Sequence, residues 1–124
     1  MAVRLPALTV IRHQLADALT GMWPVHPSPV DAVDGPCLVI LSGTRDPMAF
    51  GCNYTTRPVV LCVAGRVEPG PAAEVLDDQE EWVLSRLPWA LERVDAEMDM
   101  TFGNVTYLAR RIVTRTTVTI GGGA

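Results

Sequence analysis

Apolar residues recur along the chain with two different periods, and the switches between them divide it into helices and strands. Leu8, Ile11, Leu15, Leu19 and Met22 follow one another at spacings of three or four, which predicts an amphipathic helix over residues 7–20 with Arg12, Gln14 and Asp17 on its wet side. Gly21 and then Pro24 form its stop. Residues 23–36 contain four prolines, which excludes a helix and allows a short extended piece around Val25. The run Cys37-Leu38-Val39-Ile40-Leu41, closed by Ser42-Gly43, predicts a strand buried on both faces. Residues 44–53, with Asp46-Pro47, Gly51 and Asn53, read as a loop or irregular edge that exposes Met48 and Phe50. Residues 55–67, with Val59, Val60, Leu61, Cys62 and Val63, predict a second buried strand, so the two runs form a hairpin with a long connection.

Glu68-Pro69-Gly70-Pro71 breaks the pattern, and a second helix starts at Pro71. Its apolar stripe is Ala72, Val75, Leu76, Gln79, Val83 and Leu87, and Pro88 ends it. Residues 89–94 fit either one further helical turn or the lead into a strand. From Glu97 the period becomes two: residues 97–102 alternate polar and apolar, Gly103-Asn104 tolerates positive φ, and Val105-Thr106-Tyr107-Leu108 resumes the strand. A return strand running on to Ile120 would be unusually long, so a bend or break is expected near Arg110-Arg111. The expected order is α-β-β-α-β-β: an α+β two-layer sandwich with two helices on a mostly antiparallel sheet, one domain over 1–120 and a flexible Gly-rich tail over 121–124.

At 124 residues the chain has the size of one domain, and 48% hydrophobic content is enough for a core. Ten arginines, no lysine and fourteen acidic residues give a net charge of −4, which argues against a binder built on phosphate neutralisation. The longest apolar run falls far short of the roughly 20 residues that span a bilayer, so no membrane partner is expected. The opening residues do not read as a secretory signal. Cys37, Cys52 and Cys62 form no CxxC pair and read as reduced, core-type thiols.

A search for chemistry finds little. His13 and His26 are the only imidazoles, and Cys52 with His26 is the one thiol–base pair worth weighing. Asp77, Asp78, Glu80 and Glu81 point in different directions on a helix and read as a solvated face rather than a metal cage. No phosphate-cradling glycine motif occurs, so no catalytic residue, cofactor or metal is assigned. The basic concentration Arg110, Arg111 and Arg115 is divided by alternation, with Arg111 and Arg115 on one strand face and Arg110 on the other. Trp23, Met48, Phe50, Tyr54 and Trp89 are large side chains in or beside loop segments, where either packing under a loop or anchoring an interface is open to them. Loop position and residue type select Arg45, Asp46, Met48, Phe50, Tyr54, Arg110 and Arg111 as candidate interface residues.

The order of these parts resembles the tail-terminator family of long-tailed bacteriophages. The likeness consists of a leading helix (Leu8 to Met22), a Pro-rich stretch into Pro36-Cys37-Leu38-Val39-Ile40, and a second apolar strand (Val59 to Val63). A Pro-Gly break, an acidic-then-apolar helix (Ala72 to Leu87) and a threonine-rich C-terminal hairpin (Met98 to Ile120) complete it. It covers nearly the whole chain, and other neck and head–tail joining proteins share much of the plan. The resemblance implies a virion protein, assembled in the host cytoplasm, that forms a ring, by family analogy a hexamer, on the last ring of tail tube protein. Such a ring would stop tube polymerisation, offer its other face to a head completion or connector protein, and let DNA pass through a negatively charged lumen without specific binding. The alternatives left open are another connector or self-associating adaptor, a small Cys/His enzyme, and a nucleic-acid module.

Overall fold

Two aliphatic runs form the centre of the molecule, each able to bury both faces of a strand. The computed structural model describes residues 6–48, 53–65 and 68–119. In it β2 (Cys37–Leu41) pairs antiparallel with β5 (Val59–Val63), Leu38 opposite Cys62 and Ile40 opposite Val60. Two helices lie on one face: α1 (Ala7–Leu19) and α2 (Pro69–Arg86) bury Leu15, Leu19, Ala72, Leu76 and Val83 against Leu38, Ile40, Val60, Cys62 and Ile112. The chain is therefore an α+β protein with two helices packed on a mixed, mostly antiparallel sheet.

Both helices keep the predicted stripes with one exception. Met22 lies beyond the end of α1 and is 60% exposed instead of continuing the buried row. Gln79, the polar member of the α2 stripe, is fully buried and donates from Nε2 to the carbonyls of Cys37 (3.2 Å) and Val63 (3.0 Å). These contacts tie α2 to the ends of both central strands.

Among the described residues the sheet has eight strands, more than the four expected, because the two central strands each continue past a local interruption and the short β1 (Val25–His26) and β6 (Ala90–Val94) join it. Beyond β2 the chain passes Gly43, at φ +67°, and continues as β3 (Arg45–Pro47). A Cβ at Gly43 would stand 1.8 Å from the Arg57 carbonyl oxygen, so only glycine fits this one-residue register shift. On the partner side β4 (Asn53–Thr56) and β5 keep a single register along β8 (Val105–Thr119). The gap between them is Arg57-Pro58, where proline has no amide to donate. Thr114 compensates from β8: its amide (2.9 Å) and hydroxyl (2.8 Å) both donate to the Pro58 carbonyl, and the Trp89 indole donates to that hydroxyl at 2.7 Å.

Contrary to expectation, β8 is one unbroken strand of 15 residues. Each edge is paired in relay, β5 then β4 on one side and β7 (Met98–Phe102) then β6 (Ala90–Val94) on the other. The one-residue shift between Leu91 and Arg93 is absorbed by β6, so β8 need not bend to meet a new neighbour. Residues 89–94 therefore lead into a strand rather than a helical turn. The short β1 (Val25–His26) runs parallel to β2, and Val30 and Val33 from the connection cover the face opposite the helices together with Met98, Met100, Phe102 and Tyr107. The second face is thus closed by a loop and a curled hairpin. Phe50, Cys52 and the tail 121–124 lie outside the described residues.

Candidate assembly surface

The candidate interface residues fall into two groups that the fold treats oppositely. Arg45, Asp46, Met48 and Tyr54 come together on a hairpin arm formed by β3 and β4, with Asp46 opposite Thr55 and Pro47 opposite Tyr54. The Met48 amide donates to the Asn53 carbonyl at 2.9 Å and closes the arm toward its tip. Arg45, Asp46, Pro47 and Met48 are all exposed, Met48 to 46%, and Tyr54 is half-buried. The segment read as a loop or irregular edge is thus a strand over Arg45–Pro47, whose outer edge carries no paired strand among the described residues. Phe50 lies outside the described residues.

Arg57 holds the root of the arm. Its guanidinium donates to Asp46 on β3 at 2.6 Å and to Glu92 on β6 at 2.9 Å. Hydrogen bonding to Asp46, then to Glu92, raises its pKa above the ordinary arginine value. Arg45, by contrast, has no carboxylate partner among the described residues, and neither does Arg115 further along β8.

Arg110 and Arg111 separate as alternation requires. Arg110 shares the face of Ile112 beneath α2, where its side chain is only 11% exposed and meets Asp77 and Glu80, each at 3.0 Å, and Glu97. Burial opposes its charge, but the bonds to Asp77 and Glu97 and the field of Glu80 outweigh that, and its pKa is raised. Arg110 is therefore an internal clasp between α2 and the sheet, not an outward contact. The signal for it was present in the sequence: Asp77 and Glu80 are one helical turn apart, and Arg110 precedes buried Ile112 by two. Arg111 is outward on the opposite face, 3.8 Å from Asp95.

The acidic group on α2 divides for the same reason. Asp77 and Glu80 face Arg110, while Asp78 and Glu81 are exposed and hold no ion pair among the described residues. Among the described residues no group of three or more His, Cys, Asp or Glu is placed to hold a metal, and no helix is long and apolar enough to cross a membrane. His13 is exposed on α1 and His26 is half-buried on β1. Cys37 and His26 line one cavity of about 470 Å³ with Trp23 and Val33. Burial pushes the Cys37 thiol up to about 11, so at neutral pH it is protonated and a poor nucleophile. Trp23 and Trp89, weighed as interface anchors, pack against the helix-side core.

Sequence reasoning missed the open edge at β6 (Ala90–Val94). Among the described residues β6 pairs with β8 alone, and Leu91 and Val94 on it are exposed. Its residues, Ala-Leu-Glu-Arg-Val, carry no clean alternation because Glu92 occupies the register shift. Among the described residues β1, β3, β6 and β7 each have one paired neighbour, so each leaves an unpaired strand edge, which is backbone open to further pairing.

By fold, then, this is an α+β protein whose conspicuous surface features are a hairpin arm and several unpaired strand edges. No protein-family model matches the chain, and no curated protein matches it.

Proposed function

We propose that the protein is a structural assembly protein of the tail-terminator kind: copies close into a ring that caps a phage tail tube, stops its growth and leaves the opposite face for a head-joining protein. The observation that carries the reading is the hairpin arm, whose exposed Arg45 and Met48 extend beyond the helix-covered part of the sheet. An exposed methionine and an arginine without an internal partner are residue types that anchor interfaces. The free edge at β6, with Leu91 and Val94, adds a second contact surface. The same sequence order that resembles the terminator family supports the assignment, and the net charge of −4 suits a lumen that repels DNA.

On this reading the mechanism is differential binding. A ring with two unlike axial faces accepts the last tube ring on one side and offers no repeat of that surface on the other, so a polymer built by heterologous contacts ends there. The test is to add purified protein to tail-tube subunits during polymerisation and measure tube lengths by electron microscopy. Shorter tubes with a cap at one end are expected at stoichiometric amounts. Unchanged lengths and unchanged subunit consumption at excess would remove the capping role.

A further inference from the structure

The helix side of the molecule carries a groove that the arm does not touch within its own chain. It is lined by Met22, Asp78, Glu81, Trp82 and Ser85 and has a volume of about 470 Å³. Trp82 is fixed in place: its indole donates to the Leu19 carbonyl at 2.9 Å, and Arg86 stacks 3.7 Å from its ring centre. The groove therefore offers a held aromatic wall, an exposed methionine, and two carboxylates without ion-pair partners among the described residues. The arm offers the complementary groups on its two faces, an Arg45 guanidinium with no carboxylate partner among the described residues and an exposed thioether at Met48.

These two surfaces lie at opposite ends of the strands. Gln79, beside Asp78, bonds the carbonyls of Cys37 and Val63, and the Pro24 carbonyl two residues after Met22 accepts the Leu38 amide at 2.9 Å. The groove thus sits at the Cys37/Val63 end. The arm starts past Leu41 and Val59, at the other end, and the path from Cys37 to Pro47, two strands joined through Gly43, spans up to roughly 33 Å. An arm cannot bend back through its own sheet to fill its own groove.

We infer that the arm of one copy seats edge-on in this groove of the next, with Arg45 on one face of the arm against Asp78 and Glu81 and Met48 on the other face against Met22 and Trp82. Charge complementarity between two otherwise unpaired surfaces selects a second copy as the occupant. Methionine packs adaptably on an aromatic wall, which suits a joint that forms only on assembly. The contact is heterologous, head to tail, and a fixed rotation per copy closes it into a ring. The inference rests on the ring reading and adds to it the receptor for the arm.

The experiment uses two charge-reversed proteins, Arg45→Glu and the double variant Asp78→Arg/Glu81→Arg, all at exposed positions where circular dichroism should match wild type. Assembly is followed by sedimentation velocity, alone and with tail-tube ends present. Each variant alone should need about tenfold or more higher concentration than wild type to assemble. An equimolar mixture should assemble near the wild-type concentration, because each arm then meets a groove of opposite sign. Variants that assemble like wild type, or a mixture that fails to recover, would overturn the arm-in-groove contact while leaving a wild-type ring in place. A wild-type chain that stays monomeric even on tube ends would remove the ring reading as well.

Discussion

Between Cys37 and Leu41 every side chain but the last is buried, whereas between Arg45 and Met48, on the continuation of the same strand, every residue is exposed. The two regions share one hairpin and nearly one register, so strand pairing alone does not distinguish them. Helices do. The first region has α1 and α2 on one face and the Val30/Val33 connection on the other. The second is held by its ladder to β4 and by Arg57 at its root. One half is stabilised by removing apolar surface from water, and the other is left available for something else to cover.

The largest test of this contrast removes a core side chain. Leu76 is fully buried on α2 between the helices and the sheet, and Leu76→Ala should lower unfolding stability by about 2–5 kcal/mol, read from urea titration. The whole molecule, arm included, should lose order together, since the arm has no core of its own. Survival of native-like near-ultraviolet circular dichroism with no shift in midpoint would show that the helix layer is not what supports the sheet.

Next in size is the boundary itself. Gly43→Val forces a branched side chain into positive φ and against the Arg57 carbonyl, and should cost about 2–3 kcal/mol. Because the clash is at the arm's root, amides of the arm should exchange much faster than expected from the global loss alone. Equal exchange in both regions would mean that the shift at Gly43 is not a boundary.

The core half was legible from the sequence because burial writes a pattern. The α1 and α2 stripes, the two aliphatic runs and the alternation from Met98 to Phe102 all match the elements observed. The arm half writes none. Arg-Asp-Pro has no hydrophobic period, and β3 exists because pairing already established between β2 and β5 continues past a glycine shift. Strand β6 was ambiguous for a related reason, its register shift at Glu92. Arg110 was misread as outward because strand alternation gives a face without saying what covers it. Of the candidate surface, the sequence marked the arm through Arg45 and Met48 but not the groove, whose members Met22, Asp78 and Trp82 meet only after α1 and α2 pack.

A pH dependence sharpens the same contrast. Burial pushes Cys37 up to about 11 and Cys62 up to about 12, both in the helix-covered half. The folded chain then keeps protons that the unfolded chain releases above about pH 8.5, so the stabilisation is complete below that pH and is lost as pH rises toward the folded values. Each thiol contributes a slope of at most about 1.4 kcal/mol per pH unit in that window. The Cys62→Ala variant should show a shallower fall in urea midpoint between pH 8 and 10 than wild type, apart from any constant offset. An identical slope would mean that the Cys62 thiol ionises as easily folded as unfolded.

The smallest effect is also the most selective. Arg57 donates its own amide to the Thr44 carbonyl at 2.9 Å, which a substitution leaves intact, while its guanidinium alone links Asp46 on the arm to Glu92 on β6. Arg57→Gln removes that link without touching the core cluster, so the melting temperature should stay close to wild type. The Met48 amide, bonded to Asn53, should exchange faster, while those of Val60, Leu61 and Ile112 should not change. Raised salt should move wild-type Met48 exchange toward the variant, because Asp46 is largely exposed and its attraction to Arg57 is screened. If Val60 and Met48 accelerate together, the arm and the core open as one unit, and the division drawn between them at Gly43 and Arg57 has no energetic meaning.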